Sequence, residues 1–102
     1  EKALNRRTTE NLLMSKLTSF KFTKEAYDDY LLMKQREPKL ANKIKELITS
    51  IMETPFEGIG KPEALKFDLS GCWSRRINQQ HRLVYRVVDN EVQIISCRYH
   101  YK

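Results

Sequence analysis

Cysteine is nearly absent from this 102-residue chain. Cys72 and Cys97 are too few and too isolated for a disulfide framework or a zinc site. Both lie in apolar, strand-like stretches, so they are expected as small core residues of a reduced protein. Glycine and proline are scarce too, three of each, which excludes collagen-like and Pro/Gly-rich disordered classes. No apolar run approaches the ~20 residues of a membrane-spanning helix. No charged–apolar–small signal pattern opens the chain, so a cytoplasmic protein is expected. Gly58-Ile59-Gly60-Lys61 lacks the spacing and the following Ser/Thr of a P-loop. No His/Cys/Asp cluster has metal-ligand spacing, and no serine or cysteine sits in a nucleophile–base context. Neither a metal nor another cofactor is expected.

What is present is base. Nineteen Lys and Arg oppose thirteen Asp and Glu, a net charge of +6, which favours a polyanionic partner. The length fits one domain on one core. The excess concentrates late in the chain. Over 71–102, Arg75, Arg76, Arg82, Arg86, Arg98 and Lys102 face only Asp89 and Glu91. Five of these six cations are arginine, which suits bidentate phosphate contact.

Residues 1–18 read as an N-terminal extension, flexible or briefly helical from about Thr9, with Met14 a candidate natural start; 19–102 form the domain. Ser19 to Phe22 is a predicted strand, with Phe20 and Phe22 at period two. Thr23 can cap a helix over 24–36 whose buried face is expected to hold Tyr27, Tyr30 and Leu31. Pro38 breaks that helix and suits the first turn of the next, where Leu40, Ile44, Leu47, Ile48 and Ile51 form an apolar stripe. A loop over 54–62 precedes strands near 64–69, 73–78, 82–88 and 91–99, the last two joined by an Asp89-Asn90 turn. This order predicts an α+β fold: strand, two helices, then an antiparallel sheet with both helices on one face. The other sheet face would be open to a ligand.

Alternation sorts the basic strands. Leu83, Tyr85 and Val87 point one way, and Arg82, Val84 and Arg86 the other. Ser74 and Arg76 oppose Trp73, Arg75 and Ile77. Arg98 and His100 share a side. A twisted sheet can therefore gather Arg82, His100 and either Arg76 or Arg75 on one surface.

Those residue types suit cleavage of RNA. Attack by the 2′-hydroxyl needs a base for its proton, a cation for the crowded phosphorane and an acid for the departing 5′-oxygen. Glu63 or Glu57 can serve as base, Arg82 with neighbouring cations as stabiliser, and His100 or His81 as acid. His81 lies in a polar turn, which favours His100, beside Tyr99 and Tyr101. Trp73 suits base stacking or core packing equally. A non-catalytic basic nucleic-acid-binding module is the alternative.

The motifs Thr54-Pro55-Phe56-Glu57-Gly58, Gly60-Lys61-Pro62-Glu63, Leu65-Lys66, Leu69-Ser70-Gly71, Trp73-Ser74-Arg75-Arg76-Ile77, His81-Arg82-Leu83-Val84-Tyr85 and Cys97-Arg98-Tyr99-His100-Tyr101 stand in register with one family. From about Ser19 to Tyr101 the chain resembles the YoeB-type toxins of the RelE superfamily of bacterial type II toxin–antitoxin systems. The resemblance implies a RelE-like microbial RNase fold. It also implies a ribosome-dependent mRNA endonuclease (mRNA interferase) that cuts in the A site without metal and inhibits translation. By position, Glu63 resembles the general base, Arg82 the phosphate-stabilising arginine, His100 the general acid and Tyr101 the orienting tyrosine. Lys61, Lys66, Arg75, Arg76 and Arg98 fall among the expected RNA- or phosphate-binding residues. The implied partners are mRNA on the ribosome with rRNA contacts, a YefM-type antitoxin, a second copy in a homodimer, and operator DNA only through the antitoxin. Cys72, Ala64, Arg86, Lys102 and the leading extension depart from the family pattern without removing a catalytic residue type.

Overall fold

The computed structural model describes residues 17–98. The expected extension over 1–16, with its helix near Thr9, and the tail residues Tyr99, His100, Tyr101 and Lys102 lie outside the described residues. Along the chain run β1 (Ser19–Phe22), α1 (Lys24–Arg36), α2 (Pro38–Glu53), β2 (Glu63–Ala64), a 3₁₀ turn (Phe67–Leu69), β3 (Trp73–Arg76), β4 (Arg82–Val88) and β5 (Glu91–Ser96).

Thr23 begins α1 as its sequence predicts: the Ala26 amide donates to Thr23 Oγ1 at 3.1 Å. The helix buries Ala26, Tyr30 and Met33. Tyr27 and Leu31, expected on the inward face, are instead about half exposed. The spacing 26, 30, 33 aims at the sheet, and Tyr27 and Leu31 sit one residue, about 100°, further round. Pro38 occupies the first turn of α2, where its missing N–H costs nothing. The expected stripe packs inward, with Ala41 joining Ile44, Leu47, Ile48 and Ile51, while Leu40 is only partly buried.

The sheet order is β1-β5-β4-β3-β2. β2 to β5 are antiparallel neighbours, whereas β1 lies parallel to β5 at the opposite edge, so the sheet is mixed. Among the described residues, contacts with the core begin just ahead of β1. Leu17 packs on the core, and the Thr18 amide donates to Asn90 O at 3.0 Å. Ile44, Leu47 and Ile51 of α2 meet Leu83, Tyr85, Val92 and Ile94 of the sheet, all with no exposed surface. Asp89 and Asn90 both take positive φ, as a tight twisted hairpin requires.

Three predicted strands are shorter in the structure. The expected strand 64–69 is reduced to Glu63–Ala64, because the chain turns into the 3₁₀ segment, where the Leu69 amide bonds Lys66 O. β3 stops at Arg76, where Asn78 and His81 close a turn. β5 stops at Ser96, so alternation does not extend to Arg98. A register shift beside Val84/Tyr85 pairs Tyr85 with Ile94 but Val84 with Ser96. This bulge puts Ile94 toward the helices and Ser96 on the other face.

Candidate active site

Cross-strand partners share a sheet face. The register Glu63↔Ser74, Ser74↔Val84 and Arg76↔Arg82 therefore places Glu63, Ser74, Arg76 and Arg82 together, on the face away from the helices. They line an open cleft of about 360 Å³ with Lys61 and Pro62. Ser74 and Pro62 were not singled out by sequence, although Ser74 shares the alternation of Arg76.

The cleft's electrostatics are unbalanced. Arg76 and Arg82 are directly opposed, an arrangement of like charges that destabilises a strand pair. Lys61 stands beside them, held at a positive φ of 51°. Among the described residues, Glu63 is the one carboxylate lining the cleft. Among the described residues, no ion pair within 4.0 Å joins any of these four groups to another. Arg82 Nη1 donates to Asn78 O at 2.9 Å and more weakly to His81 O and Gln79 O, fixing the guanidinium against its own turn. Among the described residues its Nε and Nη2 make no hydrogen bond, so these donors remain for a ligand. Such a cradle accepts an anion that presents several oxygens, with a carboxylate at its side.

The remaining expected residues lie elsewhere. Arg75, expected among the phosphate contacts, has no exposed surface. Its side chain points to the helix face, as its apolar neighbours Trp73 and Ile77 at i±2 signal. Nε donates to Tyr85 Oη at 3.2 Å, Nη1 to Ser50 Oγ at 2.7 Å and Ile59 O at 3.1 Å, and Nη2 to Thr54 O at 2.6 Å and Glu57 O at 2.8 Å. All five of its donors are used inside the protein. Arg98 turns toward α1, 4.0 Å from Asp29, and lines a separate cavity with Leu32, Met33, Arg36, Glu37 and His81. Lys66 is exposed but does not line the cleft. Glu57 is exposed on the loop gripped by Arg75. His100 and Tyr101 lie outside the described residues.

His81 is buried beside Glu37, Asp29 and Arg98, away from the cleft. Burial lowers its pKa, Arg98 adds to that, and the two carboxylates oppose it. Trp73 is partly buried against the core, with the Phe56 ring centroid 4.9 Å away. Both cysteines are buried, and burial pushes the Cys97 thiol up to about 12.

Residues 22–101 match the model of a family described as the YoeB-like toxin of bacterial type II toxin–antitoxin systems. The chain belongs to this family. A toxin YoeB from Synechocystis is 54% identical over 81 residues, covering 79% of this chain and 94% of the relative. The YoeB of a heterotetrameric YoeB–YefM toxin–antitoxin complex from Staphylococcus aureus superposes with a TM-score of 0.75 at 51% identity, over 80% of this chain and 95% of that one. A YoeB dimer from the same organism gives 0.78 at 49% identity, over 83% and 99%. The match thus runs from the last residue of β1 to residue 101 and includes every described residue that lines the cleft.

Proposed function

We propose that this YoeB-family toxin is a ribosome-dependent mRNA endonuclease that cuts in the A site by metal-independent acid/base chemistry. The observation that carries the reading is the cleft itself: Glu63 stands among Lys61, Arg76 and Arg82, three cations without a carboxylate at ion-pair distance among the described residues. Glu63 removes the 2′-hydroxyl proton. The freed oxygen attacks the adjacent phosphorus, and Arg82 with Arg76 and Lys61 stabilises the phosphorane charge. His100 protonates the departing 5′-oxygen and Tyr101 orients the scissile linkage. The products are a 2′,3′-cyclic phosphate and a 5′-hydroxyl. Each proton-transfer partner contributes about 10²–10⁴ in rate.

The toxin works in the cytoplasm, where its substrate is translated. A YefM-type antitoxin neutralises it and carries any contact with operator DNA, and a second copy forms a homodimer. Family membership and the staphylococcal complex and dimer support these partners.

Incubating the pure protein with programmed ribosomes and mapping mRNA 3′ ends tests the proposal. The expected result is a cyclic phosphate at an A-site codon. Tight ribosome binding with intact message would favour the non-catalytic binding module.

A further inference from the structure

Residues 54–62 carry no regular structure, yet they deliver Lys61 and Glu63 to the cleft. Their shape is set from inside by Arg75. Four of its five donors go to this loop and to the α2 residue it crosses: Thr54 O, Glu57 O, Ile59 O and Ser50 Oγ. The fifth reaches Tyr85 Oη, which donates in turn to Pro55 O at 2.5 Å. The guanidinium carbon lies 5.8 Å from the Tyr85 ring centre, which braces the charged group from β4.

The loop fits this clamp closely. A Cβ on Gly58 would come 2.6 Å from Ser50 Oγ and 3.1 Å from Arg75 Nη1, at a φ of 123° that disfavours side chains. A Cβ on Gly60 would come 2.7 Å from Leu47 Cδ2. The Arg76 amide then donates to Gly60 O at 2.6 Å, tying the end of the loop to β3 immediately before Lys61. β3 therefore does two things at once. Arg75 reaches inward to hold the loop, while Ser74 and Arg76 face outward to form the cleft wall opposite Glu63.

We propose that Arg75 is a positioning residue, which acts through the clamped loop to fix the Glu63 carboxylate and Lys61 against Arg76 and Arg82. The role rests on the reading of the cleft as an RNA-cutting site. Among the described residues no acidic group bonds the guanidinium, so the fit depends on three loop carbonyls and two hydroxyls brought together by this loop path. Lysine cannot reproduce it, having three donors and no planar fork. A general base displaced by ~1 Å from the proton it removes can cost ~10²-fold in rate.

Single-turnover cleavage on programmed ribosomes tests the clamp with Tyr85→Phe, Ser50→Ala and Arg75→Lys, each confirmed folded at the assay temperature by circular dichroism. Should Arg75→Lys fail to fold, the two milder variants carry the test. Tyr85→Phe is expected to lower kcat by ~10–10²-fold with KM for ribosomes within about twofold. Combined with Glu63→Ala, it should slow cleavage by less than the product of the two single losses, because one of the groups it positions is already gone. A role confined to stability would leave the two losses multiplicative. Wild-type rates in folded Tyr85→Phe and Ser50→Ala, or multiplicative losses, would overturn the clamp while leaving the nuclease reading intact. A wild type that leaves message uncut would overturn both.

Discussion

Neighbouring arginines in β3 serve opposite faces of the sheet. Arg76 pairs with Arg82 across the open cleft, and Arg75 is enclosed by the loop behind it. Alternation separates the two in sequence, since Arg75 keeps step with Trp73 and Ile77. It does not say that a buried guanidinium will find five acceptors, because these come from a loop, a helix and a facing strand. Residue type alone makes Glu63 and Arg82 only candidates, which the family resemblance strengthens, and their shared face follows from a register that only the folded sheet provides. Replacing Glu63 by Ala should lower the cleavage step by ~10²–10⁴-fold and leave ribosome affinity nearly unchanged, read as kcat against KM. An unchanged rate with weaker binding would make Glu63 a binding group instead. Removing His100, Tyr101 and Lys102 should abolish cleavage without shifting the thermal midpoint. Normal cutting by the shortened chain would end the assignment of the acid to this tail.

Elements with strong periodicity were the most legible. The stripe of α2 and the Thr23 cap of α1 are local patterns, and both appear in the fold where the sequence puts them. Thr23 also does more than cap. Its amide donates to Ile94 O, and its hydroxyl donates to Ile95 O at 3.1 Å beside the bulge, joining α1 to β5. Thr23→Ala should cost about 1 kcal/mol from the cap, measurable by urea unfolding, and a neutral result would place the helix start elsewhere. The short β2, the parallel position of β1 and the β5 bulge were not legible. Each depends on pairing across the sheet rather than on a run of residues. The bulge in particular reverses the face of Ser96, which no period-two count anticipates. The turn before β4 gives another test. His81 has its pKa depressed by burial from an ordinary 6.5. The unfolded chain therefore binds its proton more readily, and the stability of neutral, buried His81 is complete above about 6.5 and lost as pH falls toward the lower folded value. Thermal midpoints measured from pH 7.5 to 5.5 should fall, and His81→Gln should flatten that slope. Parallel curves would remove His81 as the cause.

At the scale of the whole molecule, the sheet separates the apolar core from the cleft proposed to cut RNA. Both helices and the apolar core occupy one face, and the other presents Glu63, Ser74, Arg76 and Arg82 in one open cleft. Like-charged Arg76 and Arg82 are held opposite each other by strands whose inward side chains, Leu83 and Tyr85, are fully buried. That core burial compensates for the repulsion, leaving the cations available to an anion. The net charge of +6 extends the same bias over the chain and favours association with a polyanion. The most direct test removes the nucleophile from the substrate. Ribosomes carrying mRNA with a single 2′-deoxy nucleotide at the mapped cut position would be mixed with excess protein under single-turnover conditions. Unimpaired binding with no cleavage at that linkage is predicted, whereas cutting there at the rate of the all-ribose message would contradict attack by the 2′-hydroxyl and the roles given to Glu63 and Arg82.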